Sequence, residues 1–259
     1  MNDRALQDDV IRALADAPYR ASAEWRGRGL VDAGKVERFA RFLARHFYHE
    51  RIVHFFKYSR ALARVTARWP EAVLRQPGFD ALLATAVLGE RATAHAVARL
   101  VTAYVAGEEV PYHKDLLRYQ EAMMVVEAGP RVWRDTGRDD DRPAVVPPPP
   151  PPPPPELVEG TELLELEYDL PTVLPQLLQP WTTPPEAPRR ATRLIVARSR
   201  HGRVAVARAS DAIASVVRFA DGARTVDDLA RAAGLRPGEI AATLRDLTEI
   251  GAVRFSTGS

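Results

Sequence analysis

Apolar positions in the first 130 residues recur at helical spacing. Leu6, Val10, Ile11 and Leu14 form one stripe over residues 4–16, and Pro18 stops it. Residues 33–68 contain no proline. Val36, Phe39, Ala40, Leu43 and Phe47 make a first stripe there, and Ile52, Phe55, Phe56, Ser59, Leu62 and Ala63 a second. The spacing predicts two helices, broken near His46–Tyr48 and closed by Trp69-Pro70. Short helices are expected at 71–75 and 79–88, the latter ending at Gly89. Two longer ones follow at 91–106, ending at Gly107, and 112–128, ending at Gly129-Pro130. Glycine just past the last periodic residue, then proline, is the usual helix stop. No strand-like alternation occurs, so residues 1–133 read as an all-helical domain.

The pattern then lapses. Residues 134–160 read as a linker, because RDTGRDDDRPAVV is charged and lacks large apolar residues to repay the entropy of ordering. Nine consecutive prolines, Pro147 to Pro155, follow. They predict a polyproline II rod spanning roughly 28 Å at ~3.1 Å per residue, a spacer rather than a docking motif.

The last 100 residues change character. Leu163–Tyr168 reads as a strand, Val173–Leu178 as a short helix, and residues 179–191, with four prolines, as a loop. Leu194–Ala197 and Val204–Ala207 flank Ser199-Arg200-His201-Gly202, two β-rich runs around a short turn, hence a β-hairpin. Three helices follow at 211–220, 226–233 and 237–249. Ser210 and Thr225 stand as N-caps, and Asp228 completes a variant capping box. Ala252–Phe255 adds a last strand. The expected fold class is α+β: an N-terminal all-helical domain (1–133), a Pro-rich linker (134–160), and a C-terminal winged-helix domain (161–259) with a β-hairpin and three helices.

Composition narrows the chemistry. Apart from the run, 13 of the 22 prolines remain, an ordinary globular content. There is no cysteine, which excludes disulfides, thiolate nucleophiles and cysteine-held metal. No segment has the length of an apolar transmembrane helix, and MNDRALQDDV is not a signal peptide, so a soluble, cytoplasmic protein without membrane contact is expected. The net charge is +2, with 36 Lys and Arg against 34 Asp and Glu, and neither half is a basic module.

Motifs of chemistry are missing. His46, Glu50 and His54 stand at i, i+4 and i+8, and read better as a surface stripe than as metal ligands. His49-Glu50 with His54 lacks the i, i+4 histidine spacing of a zinc protease. No nucleophile elbow, phosphate loop or dinucleotide fingerprint occurs. No catalytic residue and no metal site are therefore expected in this chain. A winged helix offers two functions. In DNA binding, the third helix enters the groove, but residues 236–249 hold two Arg against Glu239, Asp246 and Glu249, which phosphate would repel. In peptide capture, an extended ligand adds to the hairpin edge and packs against the third helix. Val204 and Val206 point one way along that edge, with Arg203, Ala205 and Ala207 the other. Ile240, Leu244 and Leu247, with Thr243 beside them, form the helix's apolar face.

The stretch AIASVVRFADGARTVDDLARAAGLRPGEIAATLRDLTEIGAVRF, and the region 192–255 around it, resembles the PqqD-like recognition element for ribosomally made, modified peptides (RiPPs). FYHERIVHFFKYSRALARVTARWPEAVL, GFDALLATAVLGE and VPYHKDLLRYQEAMMVVEAG resemble the helical domain of partner subunits of multinuclear non-heme iron-dependent oxidative enzymes from RiPP biosynthesis. The resemblance implies a non-catalytic subunit in a heterodimer. The iron would belong to the partner enzyme, leaving no cofactor in this chain. A precursor's leader peptide would bind along Arg203, Val204, Ala205, Val206 and Arg208, against Ile240, Thr243, Leu244 and Leu247. The helical half would dock on the oxidase through Tyr48, Arg51, Phe55, Tyr58 and Arg60, residue types enriched at interfaces. The alternative is a winged-helix DNA-binding transcription regulator.

Overall fold

The computed structural model describes residues 3–28, 32–128, 153–199 and 201–255. The charged linker stretch, Pro147–Pro152 of the proline run and Arg200 of the hairpin turn lie outside the described residues. By contacts the chain divides into two units. The first gathers the described residues up to Ala128 together with Tyr168–Arg189, and the second those up to Glu167 and from Arg190 on. The sequence boundary at 160/161 is thus replaced by one that runs through a segment expected to belong wholly to the C-terminal domain. Mixed helix and antiparallel sheet make the fold α+β.

The first unit is helical. Helix α1 (Asp3–Ala15) leads into two short helices, α2 (Ala17–Ala21) and α3 (Ala23–Arg26), that periodicity could not resolve. Each begins at a side-chain cap: the Asp16 carboxylate accepts the Tyr19 amide at 2.8 Å, and Ser22 Oγ the Trp25 amide at 3.2 Å. Tyr19 and Trp25 thereby turn inward onto Ala13 and Val36. The long helix α4 (Ala33–Phe55), capped by Asp32, is followed by α5 (Lys57–Thr66), a 3-10 turn (Pro70–Arg75), α6 (Pro77–Leu83), α7 (Arg91–Val105) and α8 (His113–Glu127). Tyr48, Ile52, Phe56, Leu62, Phe79, Leu116 and Met124 fill its core.

The break between α4 and α5 falls at Phe56, not near His46–Tyr48. Phe56 adopts φ −96°, ψ 25°, which turns the chain and frees the first amides of α5. No local side chain caps them. Gln120, fully buried on α8, does so instead: its Oε1 accepts the Tyr58 and Ser59 amides, both at 3.1 Å, and its Nε2 donates to Ser59 Oγ at 2.6 Å. The partner lies 61 residues along the chain, beyond any local pattern.

Tyr168–Arg189 is held in this unit by α8 and the turn before it. The Asp115 carboxylate accepts the Tyr168 amide at 3.0 Å, and the Tyr112 hydroxyl donates to the Pro185 carbonyl at 2.8 Å. Burial pushes the Tyr112 phenol up to about 12, so it remains a donor throughout the ordinary pH range. Helix α9 (Leu170–Leu177) lies in this segment and buries Leu170, Val173, Leu174 and Leu177.

The second unit carries the sheets. Strands β2 (Glu162–Leu166), β3 (Thr192–Arg198) and β4 (Val204–Arg208) form an antiparallel sheet in that order, with Leu164 opposite Leu194 and Val196 opposite Val206. Helices α10 (Asp211–Phe219), α11 (Val226–Ala233) and α12 (Pro237–Glu249) follow at the expected places. Ile195 and Ala197 pack with Val216, Leu229, Ile240, Leu244 and Leu247 into its core. The capping box of α11 is present: Thr225 Oγ1 accepts the Asp228 amide, and the Asp228 carboxylate accepts the Thr225 amide.

The end of the proline run belongs to this unit, contrary to the expected linker boundary. Strand β1 (Pro155–Leu157) pairs with β5 (Val253–Phe255), and Glu156 meets Arg254 in an ion pair at 3.1 Å. Pro155 has no amide to donate, but its carbonyl accepts from Gly222, so it opens the strand without loss. Gly251 turns α12 into β5 at φ +80°, and a Cβ there would fall on the Arg198 carbonyl. Among the described residues no helix is long and apolar enough to cross a membrane.

Two outcomes follow for the helical unit. Gln120→Leu leaves two buried amides and a hydroxyl unpaired, and should lower unfolding free energy in urea by about 2–4 kcal/mol; a loss below the scatter of the measurement would remove Gln120 from its capping role. His113 is almost fully buried, with neither ring nitrogen in good hydrogen-bond geometry. Burial lowers its pKa below 6.5, and the nearby Gly107 backbone and Glu109 carboxylate offset this only in part. The unfolded chain then binds the proton more readily than the folded one. Stability should be level above about pH 6.5 and fall below it, and His113→Leu should flatten that acid limb in chemical-denaturation curves taken across pH.

Candidate functional site

Among the described residues, strand β4 stands at the sheet's edge, with β3 on one side only. The turn that precedes it closes when Gly202 donates to Ser199 and Ser199 to the Arg203 carbonyl, each at 2.8 Å, with Gly202 at φ +75°. At the other end Ala209 donates to the Arg193 carbonyl at 2.9 Å. Alternation between these two fixed pairs points the backbone groups of Ala205 and Ala207 at β3, and those of Val204 and Val206 outward. The side chains alternate as well. Ala205 and Ala207 oppose Ala197 and Ile195 on the face toward the helices, while Val206 lies exposed on the other face. An outward row of amides and carbonyls is a template for one more strand.

The structure sorts the residues expected to bind a peptide. Arg203, Val206 and Arg208 are exposed, Val204, Ala205 and Thr243 half-buried. Ile240, Leu244 and Leu247 are at most 3% exposed and form the core with β3. The third helix uses its apolar face to hold the sheet, so these three have no surface left for a ligand. At the N-terminus of α12, Glu239 accepts from the Arg236 amide at 2.9 Å and from its guanidinium at 2.6 Å, which holds the carboxyl down to about 2. The charges that would meet a nucleic acid there neutralise each other.

The residues expected at an oxidase interface divide in the same way. Tyr48 and Phe55 are core residues of α4, so they cannot form a docking surface in this fold. Tyr48 is fully buried and its phenol is pushed up to about 12 by that burial. Arg51 is half-buried, lies over the Phe47 ring and pairs with Glu127 at 3.4 Å. Tyr58 is half-buried, and Arg60 is exposed, paired with Glu71 at 3.0 Å and set over Trp69. The exposed aromatics of α4 are instead Phe39 and Phe42, which stack on each other, with His46 stacked on Phe42. Phe39 was expected in the apolar stripe of this helix.

No set of three or more His, Asp or Glu side chains that could hold a metal occurs among the described residues. His46 Nε2 lies 3.3 Å from Glu50 Oε1, whereas His54 packs edge-on against Phe55. One feature escaped sequence reasoning. A groove of about 510 Å³ in the helical unit is bounded by Lys57, Arg60 and Arg64 of α5, by Trp69, and by Leu178 and Trp181 just after α9. Its walls lie more than 100 residues apart. The spacing of the three cations at i, i+3 and i+7 was the available signal. No protein-family model matches the chain, and no curated protein matches its sequence.

The strand edge depends on β1 and β2, which precede the 168–189 segment. A fragment of residues 192–255 should therefore fail to fold. Residues 153–167 joined to 190–255 by a two-to-four-residue turn should keep the sheet, because Leu166 and Thr192 are already opposite each other. Amide exchange checks this: protection at Ile195 and Ala197 is expected in the joined chain, and its absence there would show that the sheet needs the helical unit.

Proposed function

We propose that this chain is a non-catalytic accessory subunit that binds the leader of a ribosomally made precursor peptide and presents it to an iron-dependent oxidative modifying enzyme. The observation that carries the reading is the unpaired β4 edge with the outward amides and carbonyls of Val204 and Val206. The β3–β4 hairpin followed by α10, α11 and α12 is also the order expected of a PqqD-like winged-helix recognition element, which the sequence of residues 192–255 resembles. The leader adds as a further strand beside β4. Main-chain hydrogen bonds supply affinity, and the exposed Arg203, Val206 and Arg208 side chains supply preference for its sequence. The iron belongs to the partner enzyme. The helical unit docks on it in a cytoplasmic heterodimer, using partly exposed residues such as Arg51, Tyr58 and Arg60. Tethering the leader raises the effective concentration of the precursor's other end at the iron.

The reading is tested with the full chain and the precursor peptide encoded beside its gene. Val206→Pro removes an outward amide but no β3 hydrogen bond, so the hairpin persists while strand addition is blocked. Leader affinity should fall about tenfold or more. Equal affinity in the two proteins, or no leader binding at all, would remove the proposed mechanism. Saturable duplex binding with a steep salt dependence, in place of peptide binding, would identify the transcription-regulator alternative.

A further inference from the structure

The groove beside α5 is independent of the strand edge. Three cations, Lys57, Arg60 and Arg64, form one wall. Arg60 is committed to Glu71. Lys57 lies over the Tyr58 ring but has no carboxylate partner among the described residues, and Arg64 has none either. Counting Glu71 against the three cations leaves two positive charges unmatched along one helix face. The opposite walls are apolar and aromatic. Trp69 is 44% exposed and Leu178 49% exposed, large surfaces to leave in water. Trp181 is fixed by its indole Nε1, which donates to the Leu177 carbonyl at 3.2 Å, and so is Trp69 by the Arg60 guanidinium over its ring. The groove therefore sets exposed aromatic surface beside two cations, Lys57 and Arg64, that lack a carboxylate partner among the described residues.

The spacing selects the ligand. Lys57 and Arg64 are two helical turns apart, about 10.5 Å at a rise of 1.5 Å per residue. Two anions at that spacing pair with both cations without drawing the two side chains together. Two carboxylates three residues apart on a peptide in the polyproline II conformation project from one face about 9.3 Å apart, with the residues between them turned toward the other walls. The residues between them place an apolar side chain where Trp69, Leu178 and Trp181 stand. We propose that this groove is a second binding site, specific for an acidic peptide segment with two carboxylates three residues apart and an apolar or aromatic side chain between them. Binding neutralises Lys57 and Arg64 and removes the exposed Trp69 and Leu178 surfaces from water.

The experiment uses the full chain and a fluorescein-labelled Gly-Glu-Leu-Phe-Glu-Gly peptide, followed by anisotropy at low salt. Saturable binding that weakens with added salt is expected. Gly-Gln-Leu-Phe-Gln-Gly and Gly-Glu-Gly-Gly-Glu-Gly should each bind about tenfold more weakly or worse, since one lacks the charge and the other the apolar anchor. Lys57→Glu with Arg64→Glu should cause a loss of similar size, and the neutral pair Lys57→Gln with Arg64→Gln a smaller one. Neither residue has an ionic partner, so unfolding midpoints should match the parent. Val206→Pro, at the strand edge, should leave the peptide's affinity unchanged. That arm separates this site from the proposed leader site: binding lost on Val206→Pro and kept on Lys57→Glu with Arg64→Glu would assign the peptide to β4 and overturn the groove. Absence of saturable binding would overturn it too, as would displacement of the peptide by citrate as readily as by unlabelled peptide, which would mark a small-anion site.

Discussion

The side-chain amide of Gln120 is the contact on which the helical unit turns. Helix α5 starts at a bend where the amides of Tyr58 and Ser59 have lost their intrahelical acceptors, and it is buried on one face. One glutamine from α8 accepts both and returns a donor to Ser59 Oγ, so three buried polar groups are paired by a single side chain. The direction of α5 relative to α4 and α8 follows from this. So does the position of the Lys57, Arg60 and Arg64 row that borders the groove. A helix redirected at this bend would carry its cations away from Trp69 and Trp181.

In the second unit the constraint is backbone proximity. Gly251 brings the end of α12 against the Arg198 carbonyl, which sets β5 where β1 can pair with it. The last proline of the run is thereby drawn into a strand. Proline suits that position because the strand's first residue needs only to accept. The same unit spends the apolar face of α12 on its own core, which leaves β4's backbone, rather than the third helix's side chains, as its surface for an extended ligand.

The two proposed recognition surfaces differ in their physics. The strand edge offers amides and carbonyls that read any extended backbone, with side-chain preference added at its flanks. The α5 groove offers fixed indoles and unmatched cations, which read charge spacing and one apolar anchor. The two lie in separate units.

Local pattern determined a great deal. The spans of α11 and α12, their caps, the β3–β4 hairpin and most of the helical unit follow from periodicity and from glycine, proline and capping residues, because those signals act within a few residues of where they stand. The α4–α5 break did not follow, since its acceptor is 61 residues away. Burial within a stripe did not follow either: Tyr48 and Phe55 turned inward while Phe39 and Phe42 turned out, roughly 120–180° away around the same helix. Residues 168–189 look from their sequence like the end of a strand, a short helix and a proline-rich loop of the C-terminal domain. The buried Asp115 and Tyr112, each holding one backbone group of that segment, together with the buried apolar face of α9, assign it to the helical unit. The groove needed both results at once, the bend that aims α5 and the segment that brings Trp181 to it. Sequence alone specifies each wall's chemistry, and long-range hydrogen bonds bring the walls together.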